Sequence, residues 1–199
     1  MTAKEYLKKN LNVPNVLSFI RLLLVPVYVL LFVRGLKYWA LAVFVTASVT
    51  DLLDGYIARK YNLITNLGKL LDPFADKVMV LTAMLSMAIG NALIPAVIPW
   101  TAFIILMCKE LCMVLGGLLM LKKGIVVYSS MIGKVAHCFF IGGLVLSYFH
   151  DWFAARCVGW FATPDIIVIW IAVALTLLAL MFYIIDSVRK LRQKSAPNP

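Results

Sequence analysis

The chain has 199 residues, 63% of them hydrophobic, a mean hydropathy of +0.96 and a formal net charge of +10. An ordinary soluble domain is only about 45–50% apolar. Here the excess falls in long runs, which excludes a soluble globular fold and points to one all-α integral membrane domain. The basic residues are spread over short segments between those runs, so they read as loop charges attracted to anionic lipid headgroups rather than as a nucleic-acid face.

Residues 1–15 begin with Thr2 and Glu5 at capping-box spacing, and Leu7 and Leu11 share a helical face; a short interfacial helix is expected. The first apolar run, near 16–33, lacks a small-residue cleavage site and is long for a signal-peptide core, so it is read as a retained helix, with Pro26 as a candidate kink. Six spans are expected in all, near 16–34, 38–60, 71–91, 95–121, 128–149 and 164–187. Each is long enough to cross about 30 Å of hydrocarbon at 1.5 Å per residue. With this spacing Lys4, Lys8, Lys9, Arg59, Lys60, Lys69, Lys122, Lys123, Arg189, Lys190, Arg192 and Lys194 lie on one side, against Arg34, Lys37 and Arg156 on the other. That asymmetry puts both termini in the cytoplasm. The membrane domain is expected to span 16–187, followed by a basic, disordered tail over 188–199. Cys108, Cys112, Cys138 and Cys157 form no CxxC pair and are expected to be buried as small apolar residues.

Against this background the acidic residues stand out. Asp51, Asp54, Asp72 and Asp76 fall at the cytoplasmic end of the second span and the start of the third, joined by a short basic segment. Asp51 and Asp54 are three apart and Asp72 and Asp76 four apart, so each pair shares a helix face. On insertion scales a mid-membrane Asp costs roughly 2.5–3.5 kcal/mol, and four carboxylates packed together repel one another as well. Two divalent cations would cancel the charge. The ligands are hard oxygens with no nearby His or Cys, which favours Mg²⁺, Mn²⁺ or Ca²⁺ over Zn²⁺. A carboxylate-held pair of such ions suits phosphoryl chemistry. Gly55, Ala58 and Gly68 lie one turn from the aspartates and leave room for a nucleotide, and Arg59 would face its diphosphate. A divalent-cation transporter is the reading from another class, but its acids would more often be spread over several helices toward mid-membrane.

These residues compose the pattern D-x2-D-G-x2-A-R-x8-G-x3-D-x3-D without a departure. It resembles the signature of the CDP-alcohol phosphotransferase family. The resemblance implies that an acceptor hydroxyl attacks the β-phosphorus of a CDP-linked alcohol and CMP leaves. It further implies that Asp51, Asp54, Asp72 and Asp76 hold two metal ions, Mg²⁺ or Mn²⁺, that Asp76 is also the general base, and that Gly55, Ala58, Arg59 and Gly68 contact CDP. A homodimer in the cell (inner) membrane, with its active site facing the cytoplasm, is implied likewise.

For the acceptor, the segments Gly68–Lys77 and Asn12–Arg21, the pair Lys109-Glu110 and the pair Gly133-Lys134 are similar to family members that join CDP-diacylglycerol to glycerol-3-phosphate. Where those often continue Gly-Lys-x-Lys-Thr, this chain has Ala136 and His137. Arg21, Lys109 and Lys134 are basic residues inside apolar spans, and each needs an anionic partner; the acceptor's phosphate would be one. For Lys109 a local pair with Glu110 competes with that role. His137, one turn beyond Lys134, is a possible acceptor contact, although a lone His on an apolar helix is more often packed and hydrogen-bonded. The alternative in the same family is a cardiolipin synthase using phosphatidylglycerol as acceptor.

Overall fold

The computed structural model describes residues 13–60, 68–122, 131–157 and 163–195. Among these residues it is all helical: α1 (Val13–Val33), α2 (Lys37–Lys60), α3 (Gly68–Ile89), α4 (Trp100–Lys122), α5 (Met131–Ser147), the short α6 (His150–Ala154) and α7 (Pro164–Ser195). The expected interfacial segment lies almost wholly outside the described residues. Packing divides the chain into two units, 1–96 and 97–199.

The helices are apolar on the outside. Leu23, Val33, Ile104, Leu115 and Ile184 are exposed, whereas Asn15, Ser18, Arg21, Thr163, Asp165 and Thr176 are buried. This distribution suits lipid rather than water as the surrounding medium, because polar side chains there must find partners inside the protein. Three stretches are long and apolar enough to cross a membrane: 15–33 in α1, 100–117 in α4 and 164–191 in α7; α5 is equally apolar but shorter. The chain is an integral membrane protein. Hydroxyls on the helices bond to their own backbone: Thr46 Oγ1 donates to Ala42 O, Ser48 Oγ to Phe44 O, Ser86 Oγ to Thr82 O and Ser147 Oγ to Gly143 O. This i−4 pattern satisfies a hydroxyl without water.

In unit 1, two helix ends set the geometry. α1 closes in a Schellman motif: Leu36 N–H donates to Leu31 O and Gly35 N–H to Phe32 O, with Gly35 at φ +76°. The tight exit sends α2 back antiparallel to α1. α3 closes on Gly90 at φ +66°, whose N–H reaches Ser86 O at 2.8 Å. Asn91 then joins the two ends. Its Oδ1 accepts from the N–H groups of Leu93 and Ile94, and its Nδ2 donates to Phe32 O at 2.8 Å. The far ends of α1 and α3 are thereby held together, so α3 runs parallel to α1, and α2 and α3 both pack on α1 and on each other.

In unit 2, α4 and α5 both pack on α7. A methyl group added at Gly143 would lie 3.0 Å from the Ile169 side chain and 3.2 Å from its backbone nitrogen. Glycine there lets the two backbones come close, as small residues do in membrane helix pairs. α6 was not anticipated from sequence. It begins at His150, whose Nδ1 is hydrogen-bonded to Asp165 Oδ2 at 2.7 Å, and Asp165 is fully buried in the first turn of α7. α7 itself runs on through Ser195 instead of giving way to a disordered tail near 188. No Gly or Pro interrupts it there, and the Asp186–Lys190 pair at i,i+4 supports that segment. Pro26 sits inside α1 without ending it.

One sequence expectation about side chains changes. Cys108, Cys112 and Cys138 are exposed rather than buried, on outward faces where lipid accepts a small apolar side chain as readily as a core does. Trp39, Trp100 and Trp152 are exposed, with Arg156 stacked 4.0 Å above the Trp152 ring.

The two left-handed glycines respond differently to a side chain. A Cβ at Gly90 would meet the Ala96 nitrogen at 2.5 Å and the Ile94 oxygen at 2.8 Å, both backbone, whereas at Gly35 the close atoms belong to the exposed Leu93 side chain. The left-handed conformation alone costs about 1–2 kcal/mol for a residue with a Cβ. Gly90→Ala should therefore lower the thermal unfolding midpoint in detergent more than Gly35→Ala. Gly142→Ala, with nothing within 4 Å, should leave it unchanged or raise it, since alanine gains about 0.5–1 kcal/mol in a helix interior.

Candidate active site

The four aspartates lie toward the ends of two helices that are far from the Asn91 junction. On α2, Ala40, Phe44 and Ala47 form a buried stripe at helical spacing, and Asp51 continues it one turn beyond Ala47. On α1, Ser18, Arg21, Tyr28 and Phe32 form the facing stripe. On α3, Ala75, Met79 and Ala83 do the same, with Asp76 half-buried beside Ala75. Asp54 lies on α2 with Asp51, and Asp72 on α3 with Asp76, so the four aspartates sit in pairs on two adjacent helices. Gly55, Ala58 and Arg59 occupy the last turns of α2, and Gly68 is the first residue of α3. The side chains at 54–59 and 68–73 lie outside the described residues.

The best-defined contact in this region is between α1 and α2. Arg21 is 1% exposed, and its Nη1 donates to Asp51 Oδ1 at 2.7 Å while its Nε donates to the Ala47 carbonyl at 3.2 Å. The two acceptors are one helical turn apart, which the planar guanidinium spans with two of its five donors. The Ala47 carbonyl also accepts from Thr50 Oγ1 at 2.7 Å. Asp51 remains 35% exposed, and the Arg21 contact takes up only one of its two carboxylate oxygens.

Arg21, expected from sequence to meet an acceptor phosphate, is thus engaged with an aspartate of the cluster. Lys109 also finds an anion close by: its Nζ lies 2.5 Å from Oε1 of Glu110, the local pair that competed with the acceptor role. Lys134 is exposed on α5, and His137 is half-buried one turn further on. A cavity of about 440 Å³ in unit 2 lies between the start of α5 and the last turns of α7, lined by Met131, Ile132, Phe182 and Tyr183 together with Asp186 and Arg189. Sequence reading counted Arg189 only among the loop charges. The signal available was its position in line with Phe182 and Ile185 on the continuing helix, which becomes visible once α7 is known not to stop near 187.

Among the described residues no three His, Cys, Asp or Glu side chains form a metal cluster. Asp51 and Asp76 supply only carboxylate oxygens, a donor type that fits Mg²⁺ or Mn²⁺. The free carboxylate oxygen of Asp51 on a partly exposed side chain is what such an ion would require.

The ion pair has a direct consequence for stability. Asp51→Ala removes the carboxylate that the buried Arg21 Nη1 donates to, which should cost about 1–3 kcal/mol, read as a lower unfolding midpoint in detergent. The double variant Arg21→Met/Asp51→Ala leaves neither charge behind and should recover most of that loss, a coupling that a double-mutant cycle measures.

Comparison with known proteins gives one consistent result. The family model described as CDP-alcohol phosphatidyltransferase matches residues 11–184. The CDP-diacylglycerol–glycerol-3-phosphate 3-phosphatidyltransferase of Rickettsia typhi is 52% identical over 73 residues, covering 35% of this chain and 40% of that protein. Proteins of the same name are 34% identical over 139 residues in Bacillus subtilis and 36% identical over 132 residues in Aquifex aeolicus; these alignments cover 62% and 65% of this chain and 69% and 71% of those proteins. The match to the Rickettsia relatives spans about 40% of their length.

Proposed function

The chain belongs to the CDP-alcohol phosphatidyltransferase family, and from that premise we propose that it transfers a phosphatidyl group from CDP-diacylglycerol to glycerol-3-phosphate, releasing CMP. The observation that carries the reading is the intact eight-position signature from Asp51 to Asp76, set on two adjacent helices within the matched region. The names of the Bacillus and Aquifex relatives support this choice of donor and acceptor. Membership of this family favours an enzyme over a divalent-cation transporter.

On this reading Asp51, Asp54, Asp72 and Asp76 hold two divalent cations, Mg²⁺ or Mn²⁺. When bound, these would neutralise the diphosphate and stabilise the charge that develops on the attacking and leaving oxygens. Gly55, Ala58 and Gly68 offer the donor a surface without bulky side chains, and Arg59 meets its diphosphate. Asp76 takes the proton from the acceptor hydroxyl as the oxygen attacks the β-phosphorus; the bond to CMP breaks, and CMP leaves with the negative charge. Lys134 and Lys109 provide positive charge for the acceptor's phosphate, Lys109 while sharing its ammonium with Glu110.

The membrane setting follows from the substrates. The acyl chains of the donor stay in the bilayer while its headgroup must meet a water-soluble acceptor. We place six spans over α1, α2, α3, α4, α5 and α7, within a membrane domain over 16–187, with both termini and the aspartates at the cytoplasmic face of the inner membrane. A homodimer is the proposed assembly. The Ala136-His137 departure is the one feature that favours a different acceptor, phosphatidylglycerol, which would make the protein a cardiolipin synthase.

Purified protein given CDP-diacylglycerol and Mg²⁺ or Mn²⁺, with glycerol-3-phosphate, phosphatidylglycerol, inositol or serine offered separately, should release CMP fastest with glycerol-3-phosphate. Faster release with phosphatidylglycerol would move the assignment to cardiolipin synthesis. Asp76→Asn should reduce CMP release by at least about a hundredfold; near-normal turnover would remove it as the base. Lys134→Ala should raise the KM for glycerol-3-phosphate several-fold more than the KM for CDP-diacylglycerol, and equal changes would dismiss its acceptor-phosphate role.

A further inference from the structure

Arg21 is the bulkiest fully buried side chain in the described part of the protein, and it lies in a helix apolar enough to span a membrane. A guanidinium in that position is kept only where its donors are matched. Two of its contacts reach α2, and they divide between a backbone carbonyl and a carboxylate: Nε to Ala47 O and Nη1 to Asp51 Oδ1. The carbonyl contact fixes where the guanidinium plane lies relative to α2. The carboxylate contact then fixes where Asp51 Oδ1 lies relative to that plane. A lysine ammonium carries its three donors on one nitrogen, so it can reach the carboxylate or the carbonyl but has no rigid planar fork with which to register one against the other.

We propose that Arg21 is a positioning residue for Asp51: it locks the carboxylate in one rotamer, occupies Oδ1, and leaves Oδ2 as the oxygen presented to a divalent cation. The proposal rests on the reading of Asp51 as a metal ligand. It assigns Arg21 to the organisation of the donor side of the reaction. A contact with the acceptor's phosphate would need N–H groups open to a water-soluble substrate, and Arg21 is 1% exposed. Asp51, 35% exposed, is the member of the pair that a soluble ion can approach.

Charge and orientation act in opposite directions here, so the informative variant holds charge constant. Removing the positive charge would by itself strengthen cation binding, because a guanidinium beside a carboxylate opposes a second cation on it. Losing the fixed geometry would weaken it. Arg21→Lys keeps the charge and removes the fork, so it isolates the orientation.

The experiment titrates Mn²⁺ into full-length protein in detergent or nanodiscs, following free Mn²⁺ by electron paramagnetic resonance, for the wild type, Arg21→Lys and Asp51→Asn. For Arg21→Lys the expected result is an apparent Kd raised about tenfold, the lower end of what loss of an outer partner costs a metal ligand. CMP release should recover toward wild type at saturating Mn²⁺, with the KM for glycerol-3-phosphate unchanged. An unchanged Mn²⁺ affinity accompanied by a lower unfolding midpoint would reduce Arg21 to a helix clamp and overturn the proposal. An unchanged affinity with a raised KM for glycerol-3-phosphate would overturn it in favour of an acceptor contact. If wild type and Asp51→Asn bind Mn²⁺ alike, the metal-ligand reading of Asp51 fails, and this proposal fails with it. A wild type that binds Mn²⁺ through Asp51, with Arg21→Lys of equal affinity, sinks the positioning role alone. Should Arg21→Lys not be recovered folded, Arg21→Gln is titrated in its place; it also removes the charge, which alone would tighten cation binding, so a raised Kd supports the positioning role and an unchanged or lowered Kd overturns it.

Discussion

Arg21 reaches from α1 to two acceptors one turn apart on α2, and the arrangement of unit 1 depends on that reach. The cost of leaving a charge unpaired in an apolar interior is several kcal/mol, far more than any single apolar contact in the same helices contributes. α1 and α2 therefore have one favoured register, in which residue 21 faces residues 47 and 51. The Gly35 Schellman turn permits that register by reversing the chain in a few residues, and the Asn91 junction brings α3 alongside. The apolar stripes on the three helices fill in around these polar fixings. In lipid, where the surroundings are as apolar as the side chains, such stripes alone would discriminate poorly between registers.

The same constraint connects fold to chemistry. A carboxylate beside an apolar helix surface needs compensating charge whether or not a cation is bound. Asp51 has a resident positive partner in Arg21, delivered by a neighbouring helix. On the proposed reading, the ion pair that sets the α1–α2 register also orients a ligand of the reaction centre. A change in packing between α1 and α2 would then be felt as a change in metal affinity. Unit 2 handles its charges in other ways: Lys109 pairs with its sequence neighbour, Asp186 with Lys190 one turn on, and buried Asp165 with His150 across a loop.

Much of the helical layout could be read directly from the chain. All six expected intervals contain helices, because long apolar runs have few alternatives in a membrane. The ends were harder to read. α7 continues past the expected limit near 187 since nothing in Arg189–Ser195 breaks a helix, and loss of hydropathy marks where a membrane stops rather than where a helix does. The short α6 was missed because five residues carry too little periodicity to register. The cysteines were assigned to the interior on apolar character, a criterion that does not distinguish core from lipid.

The candidate site divides in the same manner. Spacing alone paired Asp51 with Asp54 and Asp72 with Asp76 and set Gly55, Ala58, Arg59 and Gly68 around them, because helical periodicity and ligand chemistry are local properties. The residue types likewise favour a hard divalent cation over a soft one. Partner choice is not local. Arg21 and Asp51 are thirty positions apart, and a sequence that needs an anion for Arg21 does not say whether a substrate or another helix supplies it. Only the tertiary structure decided that, because the answer depends on which faces of α1 and α2 meet. Burial on that shared face turns two of the guanidinium's donors to the protein's own carboxylate and carbonyl.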